Sequence, residues 1–445
     1  MVGTVQDRHR PTRPFVRVDF TTRSEMDKPA TAQVVSVDTN KTLREAAGSF
    51  NLELKPRSRG DLRQWRTLQP NDAVMLSFDR DQATMLGIID RVGEDLSVSP
   101  GGETTQRVTI SGRDLGKVFL TDTVLYFPSL YSDASKGKWK EKFPLPEKMT
   151  LVTEFRGQPI PAAIKKICTQ MPVFNTPLGD GRLSVQDLLD WEEKVETYPE
   201  DLVYNEALGQ FTGAIWNYLE TVLDLAFYQC YVDTNADRAN PKAHLIVRPY
   251  PFDKTGDFTF ANARTFVHPT QQYHRLSPGE LIRYTVSKSD ADTRTVFQVF
   301  PEGWIIGADD ISASFAPLIA DGEEDTENLT DQYGFRPLIV RCHTLPVGAF
   351  SHLDDNDNVL LGGNTSAIEH IQTRRQKLYD WHYKNADFYS GSIIIRGRPE
   401  IRIGDWVHAP WTDRTYYVEG VGNTWRQSSP FTTALTVTRG EKGRV

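Results

Sequence analysis

The stretch GDWVHAPWTDRTYYVEGVGNTW, residues 404–425, has a counterpart earlier in the chain: NDAVMLSFDRDQATMLGIIDRV, residues 71–92. Both run for 22 residues at a constant offset of 333. Each alternates apolar and polar residues, breaks at a polar turn and resumes as an apolar run, the pattern of strand, turn and strand. In the earlier copy Val74, Leu76 and Phe78 alternate toward one face before DRDQ, and in the later one Val407, Ala409 and Trp411 do so before TDR. Five positions agree in kind: Asp72 with Asp405, Val74 with Val407, Phe78 with Trp411, Gly87 with Gly420, and Ile88 with Val421. On this register Asp72 and Asp405 occupy equivalent turns. Gly87 and Gly420 occupy equivalent strand positions, where glycine marks a bulge or a close backbone approach.

Elements on both sides recur in the same order. FVRVDF (15–20) resembles LIRYTV (281–286), and each is followed by a turn region and a second strand, ATAQVVSV or TRTVFQVF, as in a hairpin. TLREAAG follows in the first half, where Thr42 and Glu45 form a T-x-x-E capping box that predicts a short helix. The second half has a longer counterpart. Ser366 and Glu369 open a helix in which Ile368, Ile371, Leu378, Trp381 and Tyr383 make an apolar stripe opposite basic residues. Both helices lead into a strand, FNLELK or GSIIIRG, and both copies close with one, RVTISGRD or ALTVTRGE. Unrelated β-rich domains also share turn chemistry and alternation, so the order of elements carries the duplication more than the identities do.

These patterns predict a β-rich α+β chain: two β-barrels in tandem with two inserted α/β segments. The boundaries expected are 1–119 for the first barrel with an N-terminal arm, 120–270 for an inserted α+β domain, 271–300 with 386–445 for the second barrel, and 301–385 for an insertion. The first insertion contains IPAAIKKICTQ and FTGAIWNYLETVLDLAF, both helical in pattern, then the strands CYVD and HLIVRPYPF. The second carries the acidic run DGEEDTENLTDQ, residues 321–332, which reads as a solvated loop.

Composition narrows the function classes. The chain has 445 residues, 39% of them hydrophobic and 25% charged. Its mean hydropathy is -0.46, and no apolar run is long enough to span a bilayer. The N-terminal MVGTVQDRHRPTRPF lacks the apolar segment of a signal peptide, so export by that route is not expected. Three separated cysteines, Cys168, Cys230 and Cys342, give no disulfide framework or thiolate metal spacing and suit a reducing cytoplasm. A net charge of -8 leaves no general nucleic-acid footprint.

No catalytic constellation is legible. HExxH is absent, and His268 with His274 is wrongly spaced for one helical face, placing both in loops near Pro269 and Pro278. GRDLGK has Val118 where a phosphate-binding loop needs Ser or Thr after Lys117. DDNDNVLLGG breaks the calcium-loop pattern at Val359 and Thr365 when Asp354 is the first ligand. Glu192 and Glu193, adjacent on a helix, point in different directions. The expectation is a protein that is not an enzyme, with no catalytic residue, cofactor or metal.

The segment GAIWNYLETVLDLAFYQCYVDTNADRANPKAHLIVRPYPF, residues 213–252, carries the more specific signal. A helix opening on a small residue and Trp, a Y-V-D strand, a polar hairpin and a strand ending in R-P-x-P-F resemble the central hub proteins of phage baseplates and related contractile injection machines. Arg248, Pro249, Pro251 and Phe252 form that ending, with Tyr250 at its variable position. The resemblance implies that the two barrels are tail-tube-like and that three chains form a ring with pseudo-sixfold symmetry. Such a homotrimer would adapt a hexameric tail tube, or its initiator, to a trimeric central spike around a channel. DNA would pass through without specific binding, and a tape-measure protein is a further partner. The implied place is the virion baseplate, after assembly in the host cytoplasm. Arg248 is expected to be structural, its guanidinium fork pinning backbone carbonyls or a carboxylate beside two prolines. Two alternatives stay open: a tail-associated cell-wall hydrolase and a carbohydrate-binding tail protein. A hydrolase calls for a further domain, and the chain is expected to lack one because EKGRV follows the last predicted strand.

Overall fold

The computed structural model describes residues 16–20, 34–78, 83–98, 104–121, 123–126, 164, 172–179, 181, 183–190, 202–204, 211–234, 241–250, 252, 273–301, 318–319, 329–342, 344–346 and 365–442. Twelve strands join in one sheet. They are β1 (Arg17–Phe20), β2 (Val34–Thr42), β3 (Ser49–Leu54), β4 (Ala73–Ser77), β5 (Met85–Val98) and β6 (Thr104–Asp114), then β7 (Tyr273–Arg275), β8 (Leu281–Lys288), β9 (Tyr389–Arg396), β10 (Trp406–Ala409), β11 (Arg414–Arg426) and β12 (Ser429–Lys442). The first six pair in the order β1-β4-β5-β6-β3-β2, and the last six in the order β7-β10-β11-β12-β9-β8. One order of six strands therefore occurs twice, with β2–β6 corresponding to β8–β12 while β1 and β7 take the same place in opposite directions. LIRYTV in β8 thus answers to β2 and not to FVRVDF, as its pattern had suggested. The pairings are antiparallel except for β7 with β10, which is parallel. β2 then pairs antiparallel with β11, from Ser36 opposite Arg426 to Thr42 opposite Gly420, and fuses the two units.

Alternation explains the faces. β1 and β4 bury Val18, Phe20, Val74 and Leu76 in one apolar cluster, with Val18 opposite Leu76 and Phe20 opposite Val74. This cross-strand burial gives β1 its partner. The sequence pattern had paired β1 with β2 and β8 with TRTVFQVF as hairpins, and neither pairing forms. β8 pairs with β9, while Val296–Pro301 lies parallel to Pro337–Cys342 in a separate three-stranded sheet. The reason is burial on both faces: Val296, Phe297, Gln298 and Val299 are all buried, as in an interior strand. The T-x-x-E stretch is also not a helix. Residues 43–47 make the turn from β2 to β3, and the Leu43 amide is held by the Glu419 carbonyl at 2.8 Å. Among the described residues no pairing closes either unit into a barrel.

Between the units in sequence lie helix α1 (Ile215–Leu223) and the antiparallel pair Tyr228–Thr234 and Ala243–Pro249. FTGA, predicted as the start of α1, is instead a strand paired with Thr123–Tyr126. Helix α2 (Thr365–His382) fills the long predicted helix and buries Ile371, Leu378 and Trp381. These elements share one large apolar cluster with Met75, Leu86 and Ile88 of the first unit. The acidic run 321–328, the calcium-like 354–363, Glu192, Glu193, His268, Cys168 and most of IPAAIKKICTQ lie outside the described residues.

A buried ion pair locks α2 to the end of α1. Asp224, at a left-handed φ of 46°, accepts from Arg374 Nη1 at 2.6 Å. The same nitrogen lies 2.8 Å from Cys342 Sγ, and the guanidinium covers the Phe227 ring. Truncating one partner strands a charge in the core, so Arg374→Ala should cost about 3–5 kcal/mol in urea unfolding. Pairing Arg374→Met with Asp224→Asn should recover much of that loss, because no buried charge is then left alone.

Candidate functional site

The most ordered polar geometry lies where the first unit, the middle hairpin and the second unit meet. It begins at two corners. Asn71 and Gly404 both have left-handed backbones, φ 78° and 83°. The next residue is an aspartate whose Oδ2 accepts an amide three residues back, Gln69 to Asp72 at 2.7 Å and Arg402 to Asp405 at 2.8 Å. The aspartate carbonyls accept from Ile89 and Val418, each at 2.9 Å. Both side chains are buried, and Asp405 also bonds His274 Nε2 at 3.0 Å. His274 is thus a buried residue of β7 and not a loop histidine.

The 333-residue offset ends at the turn. Val74 faces Gly87, whereas Val407 faces Tyr416, so the offset beyond the turn is 329. Bulges mark it independently: the ladders skip Asp90 between Ile89 and Arg91 and Glu419 between Val418 and Gly420. Gly87 and Gly420 are therefore not equivalent, a correction caused by a turn four residues shorter in the second copy. Gly87 makes room for Phe50, whose ring would lie 2.7 Å from an added Cβ. Gly420 sits at the joint opposite Thr42. The signal that sequence reasoning missed is the acidic residue of each bulge, Asp90 and Glu419.

Arg248 enters from the middle hairpin and is 1% exposed. Its Nε donates to Gln229 Oε1 at 3.0 Å and its Nη2 to the Tyr417 hydroxyl at 3.5 Å, and that hydroxyl donates to Gln229 at 2.9 Å. The Tyr231 ring lies beneath the guanidinium. A side-chain amide and a phenol thus bind this arginine. A Cβ on Gly404 would fall 2.3 Å from Arg248 Nη2, so this corner needs glycine for its space as well as its φ. Phe252 lies at 6.0 Å from Trp381 and 5.7 Å from Tyr417, both edge-on, with Arg439 Cζ 3.7 Å above its ring.

Charges complete the junction. Lys41 of β2 reaches Asp114 at 2.8 Å and Asp233 at 4.0 Å, and Arg402 binds Asp233 at 3.0 Å. Burial pushes the Asp233 carboxyl up, but Arg402 and Lys41 outweigh it and hold the group below the usual carboxylate range. The chemistry here is cohesive. Burial pushes the Cys342 thiol up to about 12, against the pull of Arg374, and buried Cys230 is also raised. No group of three or more metal-ligating side chains occurs among the described residues. Among them no helix is long and apolar enough to cross a membrane.

Comparison with known proteins follows from this architecture. No family model matches the sequence, and no curated protein does. Solved structures do. The tail protein from Neisseria meningitidis MC58 aligns over 96% of this chain and 96% of its own, with TM-score 0.50 and 13% identity. The 43 kDa tail protein of prophage MuSo2 from Shewanella oneidensis aligns over 95% and 97%, with TM-score 0.48 and 12% identity. An Escherichia coli component of the type VI secretion system, described as similar in structure to two bacteriophage T4 tail proteins, aligns over 91% and 73%, with TM-score 0.41 and 7% identity. The structural neighbours are tail proteins and a secretion component, and this chain shares the fold of the Neisseria protein.

Arg248→Ala should destabilise the fold by about 2–4 kcal/mol in denaturant unfolding, since it removes the guanidinium's hydrogen bonds to Gln229 and Tyr417 and empties the core space it fills. Gly404→Ala should cost a similar amount through the clash and the positive φ. Asp233 gives the pH dependence. Its folded pKa lies below the unfolded value of about 3.9, so its stabilisation is present above that pH and lost as pH falls through the folded pKa. Asp233→Asn should be less stable at pH 7 by about 1–3 kcal/mol and show a shallower loss below about pH 4 in parallel melts.

Proposed function

We propose that this chain is a structural baseplate hub, a trimeric symmetry adaptor joining a hexameric tail tube to a trimeric central spike around a channel. The observation that carries the reading is the six-stranded unit written twice and fused through β2 and β11. A chain with two equivalent units offers six from three copies, which reconciles sixfold and threefold symmetry in one ring. The fold shared with a tail protein supports the same reading. On this proposal the two units are the tail-tube-like β-barrels, assigned to 1–119 and to 271–300 with 386–445. The segments 120–270 and 301–385 are the insertions.

The working parts are surfaces and the frame that holds them. Asp72 and Asp405 set the corners, Gly87 and Gly420 admit close neighbours, and Arg248 with Phe252 fixes the middle segment against the second unit. Partners are the tail tube or its initiator, the spike and a tape-measure protein, in a virion baseplate assembled in the host cytoplasm. DNA passes along the channel without specific binding, because each cationic contact to phosphate would add salt-dependent drag. The protein works without catalysis, cofactor or metal.

Native mass spectrometry of the full chain should give a trimer, and a stable monomer that clears a peptidoglycan zymogram would overturn the proposal in favour of a hydrolase. The inner wall of the ring should carry no excess of Lys and Arg over Asp and Glu. Duplex DNA should accordingly show no mobility shift with the trimer at physiological salt. Retention would indicate a protein that grips DNA.

A further inference from the structure

The joint inside the chain has an unoccupied twin at its ends. β11 is paired along Arg414–Tyr417 by β10 and along Gly420–Arg426 by β2. Its counterpart β5 is paired by β4 only over Met85–Ile88, and among the described residues its length beyond Ile89 has β6 on one side and no strand on the other. Likewise β2 lies between β3 and β11, whereas among the described residues its counterpart β8 pairs only with β9 and ends the sheet. Among the described residues one copy thus shows a strand without a second partner at one end and a length of strand without one at the other.

The correspondence can be fixed residue by residue. Ladder positions carry Val37, opposite Leu52, onto Tyr284, opposite Ile393. This match is checked by bulges, which interrupt the two ladders at Val35, between Val34 and Ser36, and at Ile282, between Leu281 and Arg283. On the other side the bulges at Asp90 and Glu419 align Arg91 with Gly420 and Val98 with Gln427. In the internal joint the Gln427 amide donates to the Val35 carbonyl at 2.9 Å. The same hydrogen bond between copies would join Val98 to Ile282.

Exposure agrees. Five large hydrophobic residues are exposed among the described residues, and three of them are Ile282 at 51%, Leu96 at 63% and Val98 at 65%. All three sit on the two free edges. In the internal joint Val37, Thr39, Val421 and Asn423 are buried, while at the matching free positions Tyr284, Val286 and Val92 are partly buried and Glu94 is exposed. Unpaired edges of this kind template pairing with another chain.

We infer that β8 of one copy adds antiparallel to the free length of β5 in the next copy, repeating the β2–β11 joint between chains. The register sets Ile282 opposite Val98, Arg283 opposite Ser97, Tyr284 opposite Leu96, Thr285 opposite Asp95, Val286 opposite Glu94, Ser287 opposite Gly93, and Lys288 opposite Val92. It places two apolar pairs, Ile282 with Val98 and Tyr284 with Leu96, on these exposed edges, and Arg283 diagonal to Asp95. Such a contact is head to tail, so its repetition closes a ring when the rotation permits. This rests on the reading of the chain as a ring subunit and specifies how that ring is joined.

Disulfide trapping tests the register. Leu43 with Glu419 and Val35 with Gln427 are hydrogen-bonded pairs, so Arg283 with Ser97 and Thr285 with Asp95 fall at non-hydrogen-bonded sites. Their Cα atoms would lie about 4.5 Å apart, within disulfide reach. Full-length protein carrying Ser97→Cys with Arg283→Cys, or Asp95→Cys with Thr285→Cys, each with Cys168→Ser, is oxidised and run on a non-reducing gel. Covalent species at two and three chain masses are expected from both variants. A control of Gly93→Cys with Arg283→Cys is four residues out of register, about 13 Å, and should stay at one chain mass. If native mass spectrometry finds oligomers but neither pair cross-links above the control, the joint is wrong and the hub reading stands. Monomers alone would overturn both.

Discussion

The pairing of β2 with β11 is the constraint on which the architecture turns. A strand at the edge of a sheet leaves a row of hydrogen-bonding groups bare, and bare edges invite indiscriminate pairing. By laying β2 against the outer length of β11, the chain satisfies those groups internally over seven residue pairs, from Ser36 to Thr42. Backbone bonds at both ends, Leu43 to Glu419 and Gln427 to Val35, extend it beyond the strand limits. The bulge at Glu419 adds twist where β10 gives way to β2 as the neighbour of β11.

Charge then determines how the middle segment sits on this frame. Lys41 belongs to the joint strand, Asp114 to the first unit, Asp233 to the middle hairpin and Arg402 to the approach to β10. One chain of ion pairs thus crosses three parts of the molecule. Arg248, Gln229 and Tyr417 repeat the logic with a side-chain amide and a phenol, and Gly404 leaves the space they need. Buried polar groups of this sort are costly unless every partner is in place. They tie one arrangement of hairpin and sheet to the sequence, whereas apolar contacts alone would tolerate several.

A fold licenses less than a site does. Likeness to the Neisseria tail protein fixes architecture, and the internal duplication gives that architecture a use that physical chemistry can state: two equivalent surfaces per chain, placed by one shared joint. The proposed role as a ring subunit needs stiffness and repetition more than a reactive group. The described cysteines are held protonated by burial, and the strongest polar clusters are spent on cohesion.

What the sequence determined by itself was local. Alternation along residues 71–92 and 404–425 specified strands, the Asp72 and Asp405 positions carried the turn chemistry, and the apolar stripe of α2 was legible from its spacing. The β-rich antiparallel class followed from these. Tertiary structure alone decided partners. β1 and β2 look like a hairpin, yet β1 finds its apolar match in β4 and β2 finds its own in β3, and Val296–Pro301 left the repeat because both of its faces are buried. The T-x-x-E stretch had the letters of a helix start, but the turn from β2 to β3 left it no length. A turn four residues shorter broke the equivalence of Gly87 and Gly420, and no periodicity reveals such a slip because strands repeat every two residues on either side. Arg374 read as one of the basic residues opposite the apolar stripe of its helix, and only the convergence of segments far apart in the chain made it interior, whereas Arg248 was legible as a structural residue but its partners Gln229 and Tyr417 were not.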